Sequence, residues 1–179
     1  MLYPEIPDMQ ARAIIRAALA VLEREGETVD LHIMIPLVFT PVELATQRRI
    51  VEDCLAEEFD RAGRRIDVEI GTMIELPRAA LIADRIAEVA DFFSFGTNDL
   101  TQTTLGISRD DAENGFLTEY LRTKVLKQNP FASIDVDGVG QLVSGAVEKG
   151  RATKSSLGLG VCGEHGGDPD SVHFFNQVG

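Results

Sequence analysis

The chain is organised around residues 66–105, which read IDVEIGTMIELPRAALIADRIAEVADFFSFGTNDLTQTTL. Apolar runs at 66–74 and 92–95 have the length and the branched or aromatic residues of buried strands. Between them, Pro77 stands where a helix can begin without losing a needed N–H, and apolar residues then recur at helical spacing. A strand, a helix and a strand in this order predict a βαβ unit with parallel strands. The predicted inward face of the helix consists of Leu81, Ile82, Ile86 and Val89.

Each strand of this unit is followed by a carboxylate. Glu75 ends the first strand, and the second runs into Gly-Thr-Asn-Asp at residues 96–99. Because ligands of α/β folds bind at the C-terminal ends of the strands, Glu75 and Asp99 are expected to meet there. Two carboxylates beside the amide of Asn98 suit Mg²⁺ held by few protein ligands plus substrate oxygens. The alternative is that Glu75 is only the polar start of a loop and that residues 96–99 form an ordinary turn.

The rest of the chain continues the alternation of strands and helices. LHIMIPLV at residues 31–38 is an almost continuous apolar run, as expected of a strand buried on both faces, and residues 157–162 form another strand. The resulting pattern predicts a parallel sheet. Helices are predicted at residues 8–24, 40–62 and 135–151 and from Asp168-Pro169 onward, with a partly helical region at 113–133. The first of these helices is capped by Asp8, and its predicted inward residues are Met9, Ala13, Ile14, Ala17 and Leu22.

Some connections can also be predicted. Thr40-Pro41-Val42-Glu43 is a capping box with Pro at the first helical position, which gives the second helix a definite start. Ser108 is a predicted cap for a short helical segment, and Asp168, followed by Pro169, is the predicted N-cap of the last helix. Residues 100–107 are expected to continue the loop that follows the strand at 92–95.

Composition limits the class of protein. The chain has 179 residues and a formal net charge of −12, so one domain is expected and a nucleic-acid-binding surface is not. An anionic substrate would then need a metal or local positive charge at the site. No apolar run is long enough for a membrane span and no secretion signal is visible, which predicts a cytoplasmic protein. Cys54 and Cys162 do not form a disulfide framework, and Cys54 lies on the apolar stripe of a helix, as a core residue would.

A second candidate site is the Gly-rich stretch CGEHGG at residues 162–167. Cys162 stands at the C-terminal end of a predicted strand, in a loop whose glycines let the backbone approach a ligand. A thiol has a free pKa of about 8.5, close enough to neutrality to be tuned for proton transfer. The alternative is a buried cysteine with no chemical role. Glu164 and His165 could be ligands or could support them.

Three stretches together resemble one family. They are GTMIELPRAALIADRIAEVADFFSFGTNDLTQ at 71–102, SRDDAE at 108–113 and GLGVCGEHGGDP at 158–169. All three resemble the phosphoenolpyruvate/pyruvate-binding barrel of the PEP-utilising enzymes, and the resemblance extends from Tyr3 to Gly179. The last two stretches are most similar to the pyruvate phosphate dikinase branch. The alternatives are a fragment of phosphoenolpyruvate synthase or of enzyme I of the sugar phosphotransferase system, or a catalytically inert partial barrel.

The resemblance implies a fold and a set of missing parts. The family domain is a (β/α)8 TIM barrel, and residues 1–179 resemble about four βα units that contain its fourth to seventh strands. The last strand, the first three strands with two substrate-clamping arginines, the ATP-grasp domain and the phosphohistidine domain are expected outside this chain. The isolated fragment is therefore expected to be inactive.

The resemblance also implies roles for individual residues. Mg²⁺ would be bound by Glu75 and Asp99, and Cys162 would be the acid/base at the methyl carbon of pyruvate. An arginine at the position of Arg109 lies by the family's active site, where it can hold phosphate or carboxylate oxygens, although an exposed pair with Asp110 or Asp111 is the alternative. The implied partners are pyruvate or phosphoenolpyruvate, a phosphohistidine domain and a second barrel in a homodimer, with no nucleic acid and no membrane. The residues implied to bind substrate are Glu75, Gly96, Thr97, Asn98, Asp99 and Arg109.

Overall fold

The structure is a computed structural model that describes residues 2–179. Four parallel strands form one sheet in the order β1-β2-β3-β4, and neighbours in sequence are neighbours in the sheet. This arrangement confirms the predicted α/β class and is that of part of a (β/α) barrel. The strands are β1 (Leu31–Ile35), β2 (Val68–Ile74), β3 (Phe92–Gly96) and β4 (Gly158–Cys162).

Helices connect the strands, and several begin at the predicted caps. Thr40 and Glu43 form the capping box, while Ser108 and Asp168 each accept the N–H of the residue three positions later. Among residues 2–179, no helix combines the length and the apolar character that crossing a bilayer requires. The helices are α1 (Glu5–Glu25), α2 (Pro41–Ala62), α3 (Pro77–Leu81), α4 (Ala83–Ala87), α5 (Thr97–Leu105), α6 (Arg109–Asn114), α7 (Leu117–Arg122), α8 (Val139–Thr153) and α9 (Pro169–Val178), with a 3₁₀ helix at Glu164–Gly167.

Two apolar clusters hold the sheet and helices together. The larger one lies between β2 to β4 and helices α3, α4 and α8, and Phe93 and Phe95 are its largest buried side chains. The smaller one joins α1 and α2 to β1 and β2, and it includes Cys54, which is fully buried. Burial of each of the two phenylalanine rings stabilises the fold by on the order of 1.5–3 kcal/mol. Cys54 is therefore the core residue that its helical position predicts.

The prediction of a loop after β3 is wrong, because residues 97–105 form helix α5. No side-chain hydrogen bond caps its start at Gly96, and its Thr, Asn and Asp residues have modest helix propensity. The helix is held instead by tertiary contacts, since Leu100 and Thr101 are buried. It ends at Gly106, whose φ of 66° is easily adopted only by glycine.

The helix predicted after Pro77 is interrupted at Ile82, where φ is −113° and ψ is 30°. Leu81, predicted to face inward, is 58% exposed. Alanines take its place in the core, because their small side chains let this segment lie close to α8. The buried residues of α3 and α4 are Ala79, Ala80, Ala83, Ile86 and Ala87.

The predicted face of α1 is also wrong, except at Leu22, which packs against the core. Met9 and Ile14 are exposed, and Asp8 binds Arg12 inside the helix instead of capping it. Two sets of apolar residues in this segment have helical spacing. Contact with α2 buries a different set from the predicted one. The buried residues of α1 are Ala11, Ile15, Ala18 and Leu19.

Two boundaries differ from the prediction. Strand β1 ends at Ile35 and not at residue 38, and its residues His32 and Met34 are exposed, although the apolar run predicted burial on both faces. His32 and Met34 lie on a face of the sheet that is open within the described residues, where they line a groove with Phe92 and Leu159. Helix α8 begins at Val139, four residues after the predicted start.

Candidate functional site

The C-terminal ends of β2, β3 and β4 lie side by side at one edge of the sheet. Glu75 follows β2, Asp99 lies in the first turn of α5, and Cys162 is the last residue of β4. Gly96 at the end of β3 is the register partner of Cys162. The structure thus brings the two candidate sites from the sequence into one place.

Glu75 is a buried carboxylate, with 3% of its surface exposed. The N–H of Leu37 donates a hydrogen bond of 2.6 Å to its Oε1. Burial raises the pKa of Glu75 and the negative charge of Asp99 raises it further, while the bond from Leu37 acts in the opposite direction. The carboxylates are therefore close enough to repel one another, and a cation between them would remove that repulsion.

Leu37 was not singled out from the sequence. Its φ is 55°, a left-handed conformation that costs a residue with a branched side chain roughly 1–2 kcal/mol. This conformation aims its N–H at Glu75, so the hydrogen bond offsets the strain. No local sequence signal marks the position, because the conformation is imposed by a carboxylate 38 residues away.

The donor set at this edge fits Mg²⁺. Glu75, Asp99 and Asn98 offer hard oxygen atoms, and Oδ1 of Asn98 is buried without a hydrogen-bond partner. Within residues 2–179, no three His, Cys, Asp or Glu side chains converge on one point. Two carboxylates would thus be the protein's charged ligands, leaving positions for water and substrate oxygens, as is usual for Mg²⁺.

The loop after Cys162 packs directly on α5. Gly163 has a φ of 99°, and a Cβ atom there would lie 3.0 Å from Oγ1 of Thr97 and 3.1 Å from Oδ1 of Asn98. A side chain at this position would therefore be strained and crowded. Glycine lets the loop and the start of α5 approach each other.

Thr97 and His165 link this loop to the rest of the domain. The hydroxyl of Thr97 lies 3.1 Å from the carbonyl oxygen of Cys162 and 2.7 Å from Nδ1 of His165. Nε2 of His165 donates to the carbonyl oxygen of Pro130 at 2.9 Å, and the ring is fully buried. These contacts give His165 a supporting position, and they leave the backbone of Thr97, not its hydroxyl, for a ligand.

Cys162 and Cys54 have different surroundings. Sγ of Cys162 lies 3.6 Å from the carbonyl oxygen of Phe95, and the residue is partly exposed at the edge of the sheet. Cys54 is buried against Asp8, and burial raises the pKa of its thiol to about 11. Cys162 is therefore the cysteine that a substrate at the strand ends can reach.

Arg109 lies at the same edge, and its charged partners are Glu164 and Glu113. Its Nη1 and Nη2 donate to the two carboxylate oxygens of Glu164, each at 2.8 Å. Glu113 lies 3.4 Å from its Nε, and the guanidinium lies over the ring of Phe131. The predicted alternative pair with Asp110 or Asp111 is not formed. The bonds to Glu164 raise the pKa of Arg109 and lower that of Glu164.

Comparison with known proteins identifies the family. A family model described as PEP-utilising enzyme, PEP-binding domain matches residues 1–179. The chain belongs to this family. The resemblance drawn from the three sequence stretches is confirmed, and the four-stranded sheet is part of the PEP-binding barrel.

Several relatives of this PEP-binding domain are pyruvate, phosphate dikinases. The chain is 55% identical over 177 residues to that of Rhizobium meliloti (strain 1021) and 52% identical to that of Clostridium symbiosum. It is 54% identical to pyruvate, phosphate dikinase 1, chloroplastic of Arabidopsis thaliana. Each alignment includes 99% of this chain and 18% to 20% of the relative. The chain thus spans about a fifth of the length of these curated relatives.

Proposed function

We propose that this PEP-binding domain carries the pyruvate and phosphoenolpyruvate half-reaction of a pyruvate, phosphate dikinase. The parent enzyme would interconvert ATP, phosphate and pyruvate with AMP, diphosphate and phosphoenolpyruvate. The observation that supports this proposal is the meeting of Glu75, Asp99 and Cys162 at one edge of the sheet. The chain that provides this edge is more than half identical to dikinases along 99% of its length.

The proposed ligands of Mg²⁺ are Glu75 and Asp99. When bound, Mg²⁺ supplies a Lewis acid that stabilises negative charge on the enolate oxygen of the substrate. The backbone at Gly96 and Thr97 begins α5, whose first N–H groups have no acceptor inside the helix and can donate to the substrate carboxylate. Asn98 lies beside them and orients the substrate.

Cys162 is the proposed acid/base. In the direction of phosphoenolpyruvate synthesis, its thiolate takes a proton from the methyl carbon of pyruvate, and the C–H electron pair forms the enolate. The enolate oxygen attacks the phosphorus of a phosphohistidine, and the P–N bond breaks as the imidazole leaves. In the reverse direction the thiol returns the proton to the same carbon. Arg109 is the group proposed to bind oxygens of the transferred phosphoryl group.

Three further parts of the proposal concern the parent protein. The phosphohistidine belongs to another domain of that protein, since none of His32, His165 and His173 lies in the family's phosphohistidine motif. The barrel would form a homodimer, as the family resemblance implies. A cytoplasmic location stays a prediction.

The first experiment measures exchange of pyruvate methyl protons in D₂O by proton NMR, with and without Mg²⁺. Enolisation needs neither ATP nor a phosphohistidine, so it can be tested on this chain. On the proposed roles, any Mg²⁺-dependent exchange by this chain should disappear in Cys162→Ala and in Glu75→Ala. Cys54→Ala is the matched control, because Cys54 lies in the core between α1 and α2, and its exchange should equal that of the wild type.

Each outcome of this experiment has a definite meaning. Exchange that persists in Cys162→Ala would remove Cys162 from the acid/base role. Exchange that persists in Glu75→Ala or Asp99→Ala would remove that carboxylate from the metal site. No exchange in the wild type would show that the half-reaction needs residues outside these 179.

A further inference from the structure

The pair between Arg109 and Glu164 joins two parts of the site. Arg109 is the first residue of α6, and Glu164 is two residues after Cys162. The contact is fork to fork, with both terminal nitrogens of the guanidinium on both oxygens of the carboxylate at 2.8 Å. This geometry is the one that Arg also offers to two oxygens of a phosphoryl group.

The pair is exchangeable because it stands partly in water. The side chain of Arg109 is 30% exposed and that of Glu164 is 53% exposed. Water and salt screen an ion pair with this degree of exposure, and another anion can reach its arginine. A substrate phosphoryl group would carry more negative charge than the carboxylate that it replaces.

Other contacts hold Arg109 in place independently of Glu164. Its guanidinium lies over the ring of Phe131, and its backbone N–H donates to Oε1 of Gln102 at 2.8 Å. The amide of Gln102 in turn donates to Oδ1 of Asp99 at 3.1 Å. Arg109 is therefore connected to the proposed metal ligand through one residue, and it can stay at the site when Glu164 leaves.

Glu164 is the first residue of the 3₁₀ helix at Glu164–Gly167, and Gly163 alone separates it from Cys162. The residue before it, Gly163, has a φ of 99° and packs on Thr97 and Asn98. The Glu164 carboxylate is 53% exposed, so it can turn into water while the 3₁₀ helix keeps its place. Pyruvate has no phosphoryl group, so its binding would not displace Glu164 from Arg109.

We propose that Glu164 is a positioning residue that occupies the anion-binding edge of Arg109 and is exchanged for phosphoryl oxygens when phosphoenolpyruvate binds. This inference rests on the proposed function. The exchange distinguishes the phosphorylated ligand from pyruvate.

The test compares the binding of phosphoenolpyruvate and of pyruvate to the full chain in the presence of Mg²⁺. NMR would follow the Arg109 side-chain N–H groups and the Glu164 carboxyl carbon during each titration. We expect Glu164→Gln to bind phosphoenolpyruvate about tenfold more tightly than the wild type, with little change for pyruvate. The matched control is Glu113→Gln, which removes the same charge near Arg109 but leaves the fork-to-fork pair intact. It should change neither affinity.

Several results would overturn the inference. Equal tightening in Glu164→Gln and Glu113→Gln would show a general charge effect, and weaker binding in Glu164→Gln would show that Glu164 supports the bound ligand. Wild-type binding of phosphoenolpyruvate with no change at the Glu164 carboxyl carbon would refute the exchange and leave the proposed function standing. If the wild type bound neither ligand, the exchange would be refuted for this chain, and the half-reaction would need residues outside these 179.

Discussion

At the scale of single residues, the site depends on backbone groups as much as on side chains. Leu37 holds Glu75 through its N–H, and its backbone is left-handed. Gly163 has no side chain, and this allows the Cys162 loop to pack closely on α5. Both residues act through their backbone conformation, which a substitution can change without changing the charge of the site.

The conformation of Leu37 can be tested with two substitutions. Its side chain is 61% exposed, so little burial is lost when it is shortened. We expect Leu37→Gly to keep the unfolding free energy within about 1 kcal/mol of the wild type, because relief of strain offsets the entropy of glycine. Leu37→Val should unfold more easily than Leu37→Gly by about 1–2 kcal/mol, since a β-branched residue tolerates this region poorly. Urea denaturation measures both, and equal stability of the two variants would contradict a strained backbone at this position.

At the scale of elements, the carboxylate of Glu58 joins helices α1 and α2 by forming ion pairs with three arginines. The Glu58 side chain is 3% exposed and lies within 3.2 Å of Arg12, 2.8 Å of Arg16 and 2.7 Å of Arg61. The hydrogen bonds from Arg16, followed by those from Arg12, lower the pKa of Glu58 to about 2 from its ordinary value of 4.5. The folded state therefore prefers the ionised form of this residue.

The contribution of Glu58 should depend on pH with a definite sign. Because its folded pKa lies below the unfolded one, its stabilisation is complete above about pH 4.5 and is lost as the pH falls toward 2. We expect Glu58→Gln to lower the unfolding free energy at pH 6, with a difference from the wild type that shrinks between pH 4.5 and pH 2. Urea denaturation at several pH values measures this difference in unfolding free energy.

The control for this experiment is Glu57→Gln. Glu57 is 59% exposed and contacts Arg12 alone among the three arginines, so its replacement should have a smaller effect at pH 6. A difference between Glu58→Gln and the wild type that stays constant from pH 6 to pH 2 would contradict the lowered pKa.

Helix α8 offers a second comparison at this scale, because two of its glycines have different surroundings. A Cβ at Gly150 would lie 2.7 Å from Cδ2 of Leu157 and 2.9 Å from the ring of Phe93, whereas a Cβ at Gly145 would meet nothing within 4 Å. We expect Gly150→Ala to destabilise the domain by about 1–3 kcal/mol through crowding. Gly145→Ala should stabilise it by about 0.5–1 kcal/mol through helix propensity. Thermal unfolding measures the stability of both variants. If both were more stable than the wild type, α8 could move away from the sheet.

At the scale of the whole molecule, the sheet has two outer strands. Within residues 2–179, β1 and β4 each have one neighbour, and a groove of about 340 Å³ runs along the sheet past Met34, Phe92 and Leu159. Unpaired strand edges next to exposed apolar side chains are sites of association between chains. The central strands β2 and β3 are, by contrast, largely buried.

We therefore expect this chain to associate in a concentration-dependent way, which sedimentation velocity measures. Met34→Lys places a charge on β1 and should reduce association. The same substitution at Met9, which is exposed on α1 away from the sheet, should leave it unchanged. A monomer at all concentrations, or equal effects of the two variants, would contradict association through the sheet.

Local sequence determined the parts of this protein that depend on neighbouring residues. The caps at Thr40, Ser108 and Asp168 and the four strands could be predicted, because capping and hydrophobic periodicity act over a few positions. The meeting of Glu75 and Asp99 also followed, since the order of a βαβ unit places consecutive strand ends together.

Only the tertiary structure decided which of several locally equivalent arrangements is formed. Helix α5 exists because its residues are buried, and α1 buries one of two faces with the same spacing because α2 lies against it. The left-handed conformation of Leu37 and the pairing of Arg109 with Glu164 join residues 38 and 55 positions apart. No local pattern encodes such contacts, because their free energy is gained only after distant segments have been brought together by the sheet.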